Sequence, residues 1–191
     1  ETLLHDYIRA EIATDLSFFH LLRPINDITV FSLLTGDRDA VIDTHSCAQV
    51  KPWCGKCAKC LYVWLHLVAY LDDEVVHQMF DKNLFDIPGN RSILRKMLGL
   101  EGNKPADCVG TVSETQAAYL LARARGWHGA ITDDISPADI PLDVEAFLNR
   151  YAIVDPPRGA IPLDLYERIR PQMAAGAEAA RTYVREMLEG T

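Results

Sequence analysis

Residues 47–71 read Cys47-Ala-Gln-Val-Lys-Pro-Trp-Cys54-Gly-Lys-Cys57-Ala-Lys-Cys60-Leu-Tyr-Val-Trp64-Leu-His-Leu-Val68-Ala-Tyr-Leu71, and two signals lie end to end in them. Four cysteines fall within this short run, spaced Cys-x6-Cys-x2-Cys-x2-Cys. Immediately after them, Leu61, Trp64, Leu65, Val68 and Leu71 form a broad apolar stripe. That stripe predicts a deeply buried helix from about Lys59 to Leu71.

A dense set of thiols needs either a soft cation or oxidation. Zinc takes four sulfurs at about 2.3 Å in a tetrahedron. A Cys-x2-Cys loop presents two sulfurs to one ion, so Cys54 and Cys57, with Cys60 and the more distant Cys47, form a candidate ligand set. Gly55 lies inside the short loop, where a tight turn is cheapest for glycine. A zinc bound by four thiolates carries a net charge of about −2. Lys51, Lys56 and Lys59 surround the cysteines and can offset it. Such a shell has no open coordination position, which assigns it to structure rather than catalysis. Two alternatives stay open at this point: an iron–sulfur cluster, which also uses cysteines at x2 spacing, and disulfides, which need an oxidising compartment. His45, two residues before Cys47, is a substitute ligand at most.

On either side the pattern is helical almost throughout. Asn26 is placed to cap a helix carrying Ile28, Phe31 and Leu34. Asp72 starts a short helix with Val75, Val76 and Met79, and Asn90 is placed to cap another with Ile93, Leu94, Met97 and Leu98. Ser113 and Gln116 have capping-box spacing before a helix that runs to Gly126, a C′ residue. His128–Pro141 reads as loop, Asp155–Gly159 as a stiff connector, and Met173–Leu188 as a last helix, with Pro162 and Pro171 at possible helix starts. Period-2 alternation is missing, so the expected class is mainly α with little or no sheet. The expected organisation is a helical zinc-knuckle domain over 1–127 and a C-terminal helical extension over 128–191.

The 191 residues (21.4 kDa) hold 49% apolar and 24% charged residues, a globular balance, with a formal charge of −8. No basic face and no bilayer-length apolar run are visible, so nucleic acid and membrane are not expected partners. No export signal is seen, and a cytoplasmic location is expected. The chain opens at Glu1 with helical periodicity in progress at Leu3, Leu4, Tyr7, Ile8 and Ile12, which reads as a truncated or processed start.

A fifth cysteine stands alone in Lys104-Pro-Ala-Asp-Cys108-Val-Gly110. A buried small hydrophobe is the ordinary reading. The sharper one is a site thiol at a helix start, with Lys104 and Glu114 nearby, where thiol pKa falls. His66 and His77 lie among apolar residues as core or boundary histidines. Arg23, Lys51, Lys56, Lys59, Arg91, Arg95 and Lys104 are candidate anion contacts. No Gly-x-x-x-x-Gly-Lys-[Ser/Thr], Gly-x-Gly-x-x-Gly or Ser-Gly-Gly-x-Asp-Ser loop occurs, so the chain holds no recognisable nucleotide-phosphate cradle.

Four elements taken in order carry a resemblance: Phe18-Phe-His-Leu-Leu-Arg-Pro-Ile25, Ser46-Cys47, Trp53-Cys-Gly-Lys-Cys-Ala-Lys-Cys-Leu61 and Lys104–Gly110. Together they resemble the C-terminal part of UDP-N-acetylmuramoyl-L-alanyl-L-glutamate epimerases of the MurL type. The resemblance implies a peptidoglycan-precursor enzyme that inverts the terminal L-Glu of UDP-MurNAc-L-Ala-L-Glu with ATP and magnesium. The implied chemistry activates the glutamate carboxylate as an acyl-adenylate, which acidifies the α-proton enough for a side-chain base. Cys108 is the candidate proton-transferring residue within this chain. The ATP-binding half of such an enzyme would precede this chain, leaving this fragment inactive alone. The cysteine knuckle is also similar to that of 7-cyano-7-deazaguanine synthase. Another ATP-pyrophosphatase-type enzyme and a zinc-stabilised helical interaction module are the competing readings.

Overall fold

The computed structural model describes residues 2–47, 49–106, 109–155 and 161–189. Among them there are nine α-helices, three short 3-10 turns and no strand, so the chain is mainly α as expected. The helices are α1 (Thr2–Glu11), α2 (Asp27–Leu34), α3 (Arg38–Ile42), α4 (Ala58–Tyr70), α5 (Asp73–Met79), α6 (Arg91–Met97), α7 (Val112–Ala124), α8 (Val144–Tyr151) and α9 (Leu163–Glu189). No helix among the described residues is long and apolar enough to cross a membrane.

Helix α4 is the axis of the fold. Eleven of its thirteen residues are buried, including Leu61, Trp64, Leu65 and Val68 on the expected stripe and Tyr62, His66 and Tyr70 off it. A helix apolar nearly all round must be enclosed on every side. Helices α7, α2, α5 and α6 pack on it, and α9 lies across α2 and α7. Trp64 is fully buried, with Phe85 edge-on at 4.8 Å and Trp127 edge-on at 5.5 Å. Residues beyond 128, among them Ile131, Leu148, Ala180 and Val184, belong to the same buried cluster. The Tyr183 hydroxyl donates to the Ala69 carbonyl at 2.6 Å, satisfying an acceptor in the last turn of α4.

Four local expectations are corrected. Asn26 stands at the N-cap of α2 without a side-chain capping bond; its amide donates instead to the Tyr151 carbonyl at 3.2 Å. Asn90 likewise makes no cap, because its buried Nδ2 donates to the carbonyls of Gly55 (3.0 Å) and Leu84 (3.1 Å). The capping box of α7 is Thr111 with Glu114, not Ser113 with Gln116. Gln116 is buried and gives its amide to the Leu98 carbonyl at 2.9 Å, at the end of α6. In each case a carbonyl distant in sequence is buried near the side chain and satisfying it outweighs a local cap.

The fourth correction concerns α9, which starts at Leu163 and runs through Pro171 rather than beginning near Met173. Pro171 removes one backbone bond. Buried anchors on both sides, Tyr166 before it and Met173 and Ala177 after it, hold the helix continuous. The Asp72, Gly126 and loop expectations hold: Asp72 is the N-cap of α5, Gly126 takes φ +89° after α7, and 128–143 has only one 3-10 turn. Of the stiff connector, residues 156–159 lie outside the described residues.

Two predictions follow from this core. Trp64→Ala should destabilise the chain by about 3–5 kcal/mol in chemical denaturation, since the cavity opens in the buried core beside Phe85 and Trp127. His66 is 2% exposed, stacks on Phe31 at 4.6 Å, and places Nδ1 2.9 Å from the Tyr62 carbonyl. Burial lowers its pKa from 6.5 to about 4, against the opposing pull of that carbonyl and of Asp27. The imidazole is therefore neutral when folded, and unfolding takes up a proton between pH 6.5 and about 4. Stability should fall as pH drops through that window, by up to roughly 3 kcal/mol from this group. Denaturation profiles of wild type and His66→Phe should diverge with that slope; parallel profiles would contradict a buried neutral imidazole.

Candidate metal centre

The chain entering α4 folds back on itself so that all four clustered cysteines meet. The Sγ atoms of Cys47, Cys54, Cys57 and Cys60 lie within 4.8 Å of one another, with Cys54 and Cys60 at 3.6 Å. None of the four is in a disulfide. A tetrahedron with metal–sulfur bonds of about 2.3 Å has sulfur–sulfur edges of about 3.8 Å, so this spacing fits one tetrahedral ion.

The local backbone explains why the sulfurs converge. Gly55 takes φ +68°, a conformation that glycine adopts without Cβ strain, and turns the loop between Cys54 and Cys57. The Lys56 amide donates to Cys54 Sγ at 3.4 Å, and the Cys60 amide donates to Cys57 Sγ at 3.4 Å. Cys57 is thus the N-cap of α4, and the positive end of the central helix faces the sulfurs. Asn90 grips the Gly55 carbonyl from the opposite side, fixing the turn to α6.

Cys47 differs electrostatically from Cys57 and Cys60. Backbone amides, foremost that of Val50, hold the Cys47 pKa down to about 6 against its burial. Burial pushes Cys57 and Cys60 up. Cys57 and Cys60, at the mouth of a buried helix, therefore gain most from a cation, whose binding makes thiolate the favoured form. His45 is exposed and does not join the group. Of the nearby lysines, Lys51 and Lys56 are exposed and Lys59 half-buried. An open cleft of about 220 Å³ adjoins the turn, lined in part by Trp53, Lys56, Phe80 and Lys82.

Other expected anion contacts are committed within the protein. Arg91 pairs with Asp134 at 2.6 Å and donates to the Ala130 carbonyl at 2.7 Å. Arg95 pairs with Glu101 at 3.5 Å and with Asp134 at 3.7 Å. Lys104 donates to the Val109 carbonyl at 3.1 Å. Cys108 itself lies outside the described residues.

A second polar group was not legible in the sequence. Glu114 accepts from the Thr111 amide (2.9 Å) and hydroxyl (3.0 Å), and from the Asp27 amide (3.2 Å). One carboxylate thus closes the N-termini of both α7 and α2, where helix dipoles favour a negative charge. Tyr62 donates to Asp27 at 2.6 Å, and Gly110 lies so close that a Cβ there would meet the Tyr62 hydroxyl. Burial raises both the Glu114 carboxyl and the Tyr62 phenol. The contact between residues 27 and 114 joins distant parts of the chain, which is why periodicity could not reveal it.

The chain was compared with known proteins. The family described as MurL C-terminal domain matches residues 40–137, about half of the chain. A protein of Xanthomonas oryzae pv. oryzae named UDP-N-acetyl-alpha-D-muramoyl-L-alanyl-L-glutamate epimerase is 31% identical over 194 residues, covering 91% of this chain and 41% of that protein. Proteins of the same name from Salinispora tropica (31% over 121 residues) and Micromonospora sp. (32% over 125 residues) each cover 59% of this chain. The chain spans less than half the length of these relatives. No solved structure matches. The matched range takes in all four clustered cysteines, the whole of α4 and the Lys104–Gly110 loop, and the chain belongs to the MurL C-terminal domain family.

Proposed function

We propose that this chain is the C-terminal portion of a cytoplasmic, ATP-dependent epimerase that converts the terminal L-Glu of UDP-MurNAc-L-Ala-L-Glu to D-Glu. The observation that carries this reading is the 31% identity to the Xanthomonas epimerase along 91% of the chain. The substrate is then a UDP-muramoyl dipeptide. ATP and magnesium belong to the portion of the relatives beyond the match, consistent with the lack of a phosphate cradle in this sequence.

Within this chain, Cys47, Cys54, Cys57 and Cys60 hold a structural zinc. Their spacing suits a four-sulfur shell, and their position at the mouth of α4 makes the ion a clasp on the central helix. The Lys104–Gly110 loop faces the substrate, and its Cys108 is the candidate group for moving the glutamate α-proton.

Two measurements test these points. Elemental analysis of the purified chain should give one zinc; chelation should lower its melting temperature, and Cys57→Ser should yield insoluble protein. Zinc-free folded protein, or iron in its place, contradicts the assignment. For the enzyme, the full-length protein is incubated with UDP-MurNAc-L-Ala-L-Glu, ATP and magnesium, and the glutamate configuration is read by chiral chromatography. D-Glu product supports the function; unchanged L-Glu rejects it. Cys108→Ala should retain zinc and folding and lower turnover by about 10²-fold, with solvent-deuterium incorporation at the α-carbon falling in parallel. Near-normal turnover would remove Cys108 from the chemistry.

A further inference from the structure

Residues 2–23 are built unlike the rest of the described protein. Helix α1 has no buried residue. Eight of the eleven exposed large hydrophobic side chains among the described residues fall between Leu3 and Leu22. They include Leu3 (86% exposed), Ile12 (66%), Tyr7 (57%) and Leu16 (51%). A soluble surface rarely gathers so many apolar side chains in one stretch unless something covers them.

This stretch is ordered against itself and not against the core. Phe18 donates its amide to His5 Nδ1 at 3.3 Å, tying the segment after α1 back onto the helix. Between them lies an open cavity of about 420 Å³ lined by Leu4, Phe18, His20, Leu22 and Arg23. Pro24 and Ile25 are the first residues to enter the buried core. The segment Phe18–Leu22 is thus mostly on the surface, with Phe18, Leu21 and Leu22 at least a third exposed.

We infer that the apolar face of residues 3–22 is the seat on which the remainder of the longer protein docks. Two observations select this occupant. The C-terminal-domain match begins at residue 40, so the face lies on the side of the chain preceding that domain. More than half of the Xanthomonas relative lies outside the region it shares with this chain, which supplies a covering body of domain size. The inference rests on the two-part reading of the protein given above. Leu22 and Phe18 would receive an apolar side chain of the partner portion between them, while α1 lies across its surface.

The test is hydroxyl-radical footprinting of the full-length Xanthomonas relative beside this 191-residue chain. Tyr7, Phe18 and Leu22 should be oxidised readily here, and their aligned counterparts at least about 10-fold more slowly in the full-length protein, where the interface excludes water. Replacing the counterparts of Leu4 and Leu22 by Asp in the full-length protein should restore fast oxidation across the face. Equal oxidation in the two proteins overturns the inference. So does a concentration-dependent dimer of the 191-residue chain whose footprint covers the same side chains, because a second copy is then the occupant. The footprint reads burial and is indifferent to activity. Protection in a full-length protein that makes no D-Glu would reject the proposed reaction and leave the docking seat standing; D-Glu production without protection would do the reverse.

Discussion

The enclosure of helix α4 is the constraint from which the rest of this structure follows. A thirteen-residue helix with eleven buried positions has almost no solvent face, so neighbours must close it on every side. Helices α2, α5, α6 and α7 do so laterally. Its two ends raise a separate difficulty, because a buried helix terminus leaves backbone donors and acceptors without water. At the C-terminal end, α9 reaches over and Tyr183 satisfies the Ala69 carbonyl. At the N-terminal end, sulfur takes the place of an ordinary cap, with Cys57 accepting from the Cys60 amide.

That choice of cap links the four cysteines to the core. A thiolate group at a helix N-terminus is favoured by the dipole, while burial of Cys57 and Cys60 disfavours it. A cation among the sulfurs would resolve the balance, and the same ion would fasten the loop from Cys47 onto the helix start. Asn90 extends the fastening to α6 by holding the Gly55 carbonyl, the acceptor inside the turn. Loop, helix and neighbour are therefore coupled through one small polar centre beside a large apolar one.

The Glu114 node performs a related task on the opposite flank. Its carboxylate joins the starts of α7 and α2, and Tyr62 from α4 reaches Asp27 in the same cluster. Gly110 is seated directly against the Tyr62 hydroxyl of this cluster, and Lys104 holds the adjacent Val109 carbonyl.

Much of this architecture was legible in the sequence because it depends on short-range pattern. The Cys-x2-Cys spacing, Gly55 and the stripe through Leu61, Trp64, Leu65 and Val68 all act within a few turns of chain, and they specified the knuckle, the buried helix and the all-helical class. The caps were less legible, for a definite reason. Asn26, Asn90 and Gln116 have the chemistry of helix ends, yet each gives its amide to a carbonyl brought close only by packing. Continuation of α9 through Pro171 was hidden in the same way, since a helix-breaking residue is overruled by burial on both its sides. The sequence by itself determined which residues could be thiol ligands and which helix had to be buried, because those properties reside in residue type and period. Only the tertiary structure decided how far Cys47 stands from the other sulfurs, which carbonyls the buried amides satisfy and which apolar residues stay outside, because those depend on distances between segments remote in the chain.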